Sequence, residues 1–198
     1  MLSSIVIAGV GGQGTLLASK IMSEAAQKNG LFVRTSETIG MAQRGGSVVS
    51  HLRIGAEDVS SVIPLRHADI LLGFELAEAV RQIPRISSCA RGVINTDCVV
   101  PTNVALKQGV YLRDKYEALL RKVLVDSVFI SGTPLALEAG DARSLNMVLL
   151  GAGVGAGILP FGKDEMLGVM REFMKPKILG INMRAFELGF IAGEPIKK

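Results

Sequence analysis

Ser4-Ile5-Val6-Ile7-Ala8-Gly9-Val10-Gly11-Gly12-Gln13-Gly14 sets a β-branched apolar run directly ahead of a glycine-rich turn. An apolar run this short, with no polar alternation, fits a strand buried on both faces of a sheet. Downstream, Thr15–Ala26 carries Leu17, Ile21 and Ala25 at every fourth position, the spacing of one helix face, and Asn29-Gly30 supplies a stop. Gly9-x-Gly11-x-x-Gly14 therefore has both the spacing and the setting of a dinucleotide-binding turn. Glycine permits the tight turn and lets backbone N–H groups approach a phosphate at the positive end of a helix. The same turn also serves simply to pack helix on sheet. A phosphate site and a purely structural turn both stand at this point.

Outward from that unit, Leu31–Ser36 reads as a second strand. Simple alternation then stops. Glu37–Gly46 is a polar loop, and Ser47–Ile54 alternates with period two, so one of its faces is expected to be wet. Val59–Ile63 is expected to pair with it across Gly55–Asp58, an inserted hairpin where a helix would normally sit. Ala68–Phe74, Gly92–Thr96, Val110–Leu112 and Ser127–Ser131 are further strand candidates, with helices at Glu75–Ile83 and Asp114–Val125. From Pro134 onward the chain reads as helices over 135–141, 145–158, 164–173 and 176–192. The expected fold is α/β: a Rossmann-like mixed sheet with an inserted β-hairpin and a helical C-terminal third, one domain across 1–198.

Composition excludes several classes. The chain has 198 residues, 48% hydrophobic and 5% aromatic, which is incompatible with disorder and offers few base-stacking platforms. Its 23 glycines exceed the roughly 14 of an average composition, with no collagen period. Net charge is +4, and the cations are scattered, so no nucleic-acid footprint is expected. Two cysteines, Cys89 and Cys98, exclude a disulfide framework and a four-thiolate zinc or iron–sulfur site from this chain alone. They fit a reducing cytoplasm. The N-terminus lacks the basic region of a signal peptide. Ser144–Gly162 holds 19 residues without a charge, but its five glycines and Pro160 read as a buried helix end, with no membrane span. Small residues at 151, 153, 155 and 157 suit close packing against a neighbour.

Candidate binding residues cluster around the glycine turn: Gly9, Gly11, Gly12, Gln13, Gly14 and Thr15. Glu37 stands 23 residues beyond Gly14 at a strand end, where a nicotinamide enzyme places the acid that binds ribose. Against that reading, Gln13 puts a bulky polar side chain inside the loop, and the chain beyond Glu37 leads into a hairpin. Gln43 and Arg44 precede Gly45-Gly46. An arginine there either offers its fork to a carboxylate or phosphate, or bonds loop carbonyls while the glycines form a bulge. His51 reads as a structural histidine and the cysteines as inert thiols. Thr133-Pro134 reads as a helix start. No catalytic residue and no metal ligand are expected.

Ile5–Gly14 together with Arg34–Val48, including Gly40-Met41-Ala42-Gln43-Arg44-Gly45-Gly46, resembles the gamma-type domain of the 2-oxoacid:ferredoxin oxidoreductases, the pyruvate/ketoisovalerate oxidoreductase catalytic domain, and within it the indolepyruvate branch. Gly73-Phe74-Glu75, Glu78-Ala79 and Asn146-Met147 fit the same pattern, over about residues 4–185. The resemblance implies a non-thiamine-binding subunit of a complex that decarboxylates a 2-oxo acid, such as indolepyruvate, to an acyl-CoA with reduction of ferredoxin. Thiamine diphosphate and iron–sulfur clusters would sit on the partner subunit, with coenzyme A at the subunit interface or the glycine loop purely structural there. An isolated chain could pair with a second copy. A free-standing Rossmann-like NAD(P)- or CoA-binding protein is the alternative.

Overall fold

The structure, a computed structural model, describes residues 3–39, 45–55, 57–99 and 110–194. Six strands form one mixed sheet: β1 (Ser3–Val10), β2 (Val33–Ile39), β3 (Ser47–Ile54), β4 (Ala68–Gly73), β5 (Ile86–Asn95) and β6 (Val128–Ile130), in the spatial order β2-β3-β1-β4-β5-β6. β1, β4, β5 and β6 run parallel, while β3 is antiparallel to both of its neighbours. The helices are α1 (Thr15–Lys28), α2 (Leu76–Arg81), α3 (Arg113–Val123), α4 (Gly132–Ala139), α5 (Leu145–Gly155), α6 (Lys163–Phe173) and α7 (Pro176–Gly193).

The apolar run that opens the sequence becomes the centre of the sheet. Ile5 and Ile7 face one core with α1 and α4–α7, and Val6 and Ala8 face a second with α2 and α3. With cores on both faces, the strand has no place for alternating polar residues.

An inserted hairpin is present, but its strands are β2 and β3. β3 pairs with β1 from Ser3↔Ile54 to Val10↔Ser47, and with β2 from Val33↔Ile54 to Ile39↔Val48. Both edges of β3 are therefore taken, and Val59–Ile63 cannot pair with it. That segment instead covers the face of the hairpin, held by its carbonyls. Arg53 donates to Ser60 O at 3.2 Å and Arg85 to Ile63 O at 2.7 Å. Ile63 N–H donates to His51 Nδ1 at 3.4 Å. His51 is thus structural, and burial, followed by the charge of Arg85, lowers its pKa below 6.5. Val110–Leu112 is not a strand either; it leads into α3.

The C-terminal third is helical as the sequence predicts. α5 is almost wholly buried, and its neighbour is α7 of the same chain. Ideal Cβ atoms at Gly151 and Gly155 would stand 2.0 and 2.1 Å from the carbonyl oxygens of Phe186 and Phe190. Reciprocally, those at Gly189 and Gly193 would stand 2.0 and 2.1 Å from the oxygens of Val148 and Ala152. Only glycine on both helices allows this backbone approach. Among the described residues no helix is long and apolar enough to cross a membrane.

Candidate functional site

The parallel strands β1, β4, β5 and β6 all end at one edge of the sheet, and the loops that follow them form the candidate site. β1 leads into α1 on one face, while β4 leads into α2 on the other. The crevice between β1 and β4 is consequently the topological switch point, where open α/β sheets bind ligands.

Here that crevice is filled. Gln13 Oε1 accepts from Val10 N–H at 2.9 Å, and Gln13 Nε2 donates to Phe74 O at 3.0 Å. Asn95 Nδ2, from the end of β5, donates to the same carbonyl at 3.1 Å. Two side-chain amides thus stitch the ends of β1, β4 and β5 together. Gly9 lies beneath Gln13, where a Cβ would come 2.8 Å from Gln13 Oε1 and 2.9 Å from Phe74 Cβ.

The outer side of the turn is open. Gly12 is exposed at φ 103°, with nothing within 4 Å of the position a Cβ would take. Gly14, at φ 76°, precedes α1 without any side-chain cap. The first amides of α1, beginning at Thr15, are therefore available to an anion. Asn146 braces the turn from α5, its Nδ2 donating to Gly14 O at 3.2 Å.

The structure brings the two glycine motifs together. Gly11 N–H donates to Gly46 O at 2.8 Å, and Gly45 N–H to Gly11 O at 3.2 Å. Gln43 and Arg44 lie outside the described residues. Glu37 does not join the turn. It pairs with Ser50, which pairs with Ile7, so it lies two strand spacings from β1, about 10 Å. With β3 inserted, the acid that a nicotinamide site requires is displaced sideways.

Sequence reasoning gave no role to two buried carboxylates at this edge. Glu75 caps α2, its Oε2 accepting from Glu78 N–H at 2.9 Å, and its Oε1 accepts from Tyr111 Oη–H. Glu78 accepts from Ser47 Oγ at 2.6 Å and pairs with Arg81. Burial, then hydrogen bonds to Glu75 and Cys98, pushes the Tyr111 phenol far above its ordinary range, so Tyr111 remains a proton donor to Glu75. Glu75-x-x-Glu78 at a helix start was the available signal. At the ends of β5 and β6, Asp97 accepts from Ser131 Oγ at 2.6 Å and Thr133 N–H at 2.7 Å, capping α4. Among the described residues no three His, Cys, Asp or Glu side chains converge as a metal site.

The arrangement is a braced α/β edge with one open amide turn. The sequence profile of the pyruvate ferredoxin/flavodoxin oxidoreductase family matches residues 4–192, and the chain belongs to that family. It is a subunit of a 2-oxoacid ferredoxin oxidoreductase. An indolepyruvate oxidoreductase subunit IorB of Archaeoglobus fulgidus is 38% identical over 197 residues, covering 97% of each chain. The pyruvate oxidoreductase subunit PORC of Thermotoga maritima shares the fold at TM-score 0.69 and 21% identity, covering 96% of each chain. A 2-oxoglutarate:ferredoxin oxidoreductase of Magnetococcus marinus, solved with 2-oxoglutarate, coenzyme A and succinyl-CoA, superposes at TM-score 0.71 and 20% identity. That superposition covers 97% of this chain and 31% of the other.

Proposed function

We propose that the chain is a gamma-type domain, 1–198, that completes an arylpyruvate:ferredoxin oxidoreductase in the cytoplasm and is inactive alone. Its partner would be a subunit holding thiamine diphosphate and iron–sulfur clusters, which when bound supply decarboxylation and electron transfer to ferredoxin. The likeness to the indolepyruvate subunit over nearly the full length of both chains carries the choice of an aryl substrate.

The residues of this chain would serve binding and orientation. Within the turn Gly9–Thr15 the amides of Val10, Gly11 and Gln13 are engaged, and those of Gly12, Gly14 and Thr15 are the ones that would accept a phosphate of coenzyme A. Gln13 would act by holding the turn, because both ends of its amide are already engaged within the chain. Gln43 and Arg44, tethered to the turn through Gly45 and Gly46, would add the cation and donor that the described part of the turn lacks. A nicotinamide enzyme is disfavoured by the same geometry, since Gln13 fills the switch-point crevice and Glu37 stands aside.

The test is reconstitution with the thiamine-binding subunit. Dye reduction dependent on a 2-oxo acid and coenzyme A should appear only in the mixture and be fastest with indolepyruvate. Full activity of the partner without this chain would refute the proposal. A preference for pyruvate or 2-oxoglutarate would refute the substrate assignment alone.

A further inference from the structure

We infer that β2 accepts an extended, basic segment of another protein as a seventh strand of the sheet. This surface is a lateral edge, away from the glycine turn, and the inference does not depend on the proposed enzymatic role. β2 ends the sheet on one side, and its outer row of backbone N–H and C=O groups faces no other strand among the described residues. An uncovered edge of this kind is a template for strand addition. Its protection is limited to two charged residues, Arg34 and Glu37. β2 runs seven residues in unbroken register with β3, without proline, lysine or bulge. The opposite edge, β6, has only three residues.

An added strand needs room for side chains that alternate between the two faces, and both faces provide it. On the α1 side, an open groove of about 370 Å³ runs between α1 and β2, with Lys20, Glu24, Glu37 and Phe173 in its walls. On the other side, a shallow groove of about 800 Å³ borders Val33–Thr35 and is flanked by Glu57 and Asp58. Apolar anchors stand close by. Leu31 and Phe32 lead into β2 at 40% and 52% exposure, and Phe173 is 43% exposed.

Charge selects the occupant. The two grooves carry Glu24, Glu37, Glu57 and Asp58 against Lys20 and Arg34, two net negative charges on a chain whose total is +4. A second copy of this chain would double the net negative charge at the seam, even in the antiparallel register that sets Arg34 against Glu37. An alternating basic–apolar strand from a different protein satisfies both the backbone and the charge.

The probe is a labelled peptide of about ten residues alternating lysine and valine, titrated into the full chain by fluorescence anisotropy. Two versions carry N-methyl groups on one or the other alternate set of amides, and a third replaces lysine with glutamate. The expected result is binding of the parent peptide and of one N-methylated version. The other N-methylated version and the glutamate peptide should bind at least tenfold more weakly, with slowed hydrogen exchange confined to residues 33–39. Glu24→Lys combined with Glu37→Lys should weaken binding about tenfold while leaving Tm unchanged. Several results would overturn the inference: no binding at millimolar peptide, equal binding of both methylated versions, exchange protection outside β2, or self-association through β2 in sedimentation.

Discussion

Replacing Gly151 with alanine should destabilise the protein strongly, whereas the same change at Gly168 should stabilise it. Both are helix-interior glycines, so each substitution gains up to about 1 kcal/mol of helix propensity. They differ in what the new methyl meets. At Gly151 it would lie 2.0 Å from Phe186 O and 2.8 Å from Phe190 N; at Gly168 nothing lies within 4 Å. A carbon rests about 3.3–3.6 Å from a carbonyl oxygen. The α5–α7 crossing must therefore open by roughly 1.3 Å or more. A gap of about 1 Å already forfeits a quarter to a half of each dispersion contact across it. Overpacking costs of this kind run about 1–3 kcal/mol and sometimes more. With the reciprocal contacts at Gly189 and Gly193 also disturbed, the net loss should be about 2–4 kcal/mol. For a chain of this size that lowers Tm by roughly 5–15 °C. Gly168→Ala should raise Tm by roughly 1–4 °C on the same scale. Thermal and urea unfolding of both variants provide the assay. A Gly151→Ala protein within about 0.5 kcal/mol of the parent would refute the close-packed crossing, because 0.5 kcal/mol is the range of substitutions that touch nothing.

Three further outcomes follow from the same geometry. Gln13→Ala leaves Val10 N–H without its partner and should cost about 1–3 kcal/mol in urea unfolding; Gln13→Glu should cost more at neutral pH, since it sets an anion against Phe74 O. The pKa of His51 is lowered in the fold relative to 6.5, so the unfolded chain binds the proton more readily. Its contribution to stability is full above pH 6.5 and is lost as pH falls from there toward the folded value; urea midpoints at pH 7.5 and 5.5 should differ accordingly, and His51→Asn should shrink the difference. In the reconstituted enzyme, Gly12→Val should raise KM for coenzyme A about tenfold, leave KM for the 2-oxo acid unchanged and leave assembly intact.

Local chemistry made much of the fold legible from the sequence. The central strand, the glycine turn and α1 follow one another within the first 28 residues. The C-terminal helices emerged within a few residues of their expected limits because their apolar positions repeat at helical spacing. The hairpin was misread for a physical reason: Val59–Ile63 has strand composition, but pairing is decided by which edges are free. β3 gives one edge to β1 and the other to β2, a long-range choice that leaves no local mark. The candidate site was legible as a list of residues and much less so as an arrangement. Nothing in the sequence around Gln13 indicates that its amide spans the crevice to Phe74, 61 positions away. Nor does the distance in sequence between Gly14 and Glu37 reveal that a strand is interposed. Glu75 and Glu78 matched the family pattern, yet their hydrogen bonds to Tyr111 and Ser47 depend on tertiary contacts.

We propose that this chain meets a thiamine-binding subunit across the edge where β1, β4 and β5 end. Hydrogen exchange of the chain, alone and in the co-expressed complex, tests it most directly. Exchange at residues 11–15, 45–47, 74–78 and 110–112 should slow on complex formation, with 120–124 unchanged. Protection absent from the glycine turn, or failure of the two chains to co-purify, would contradict it.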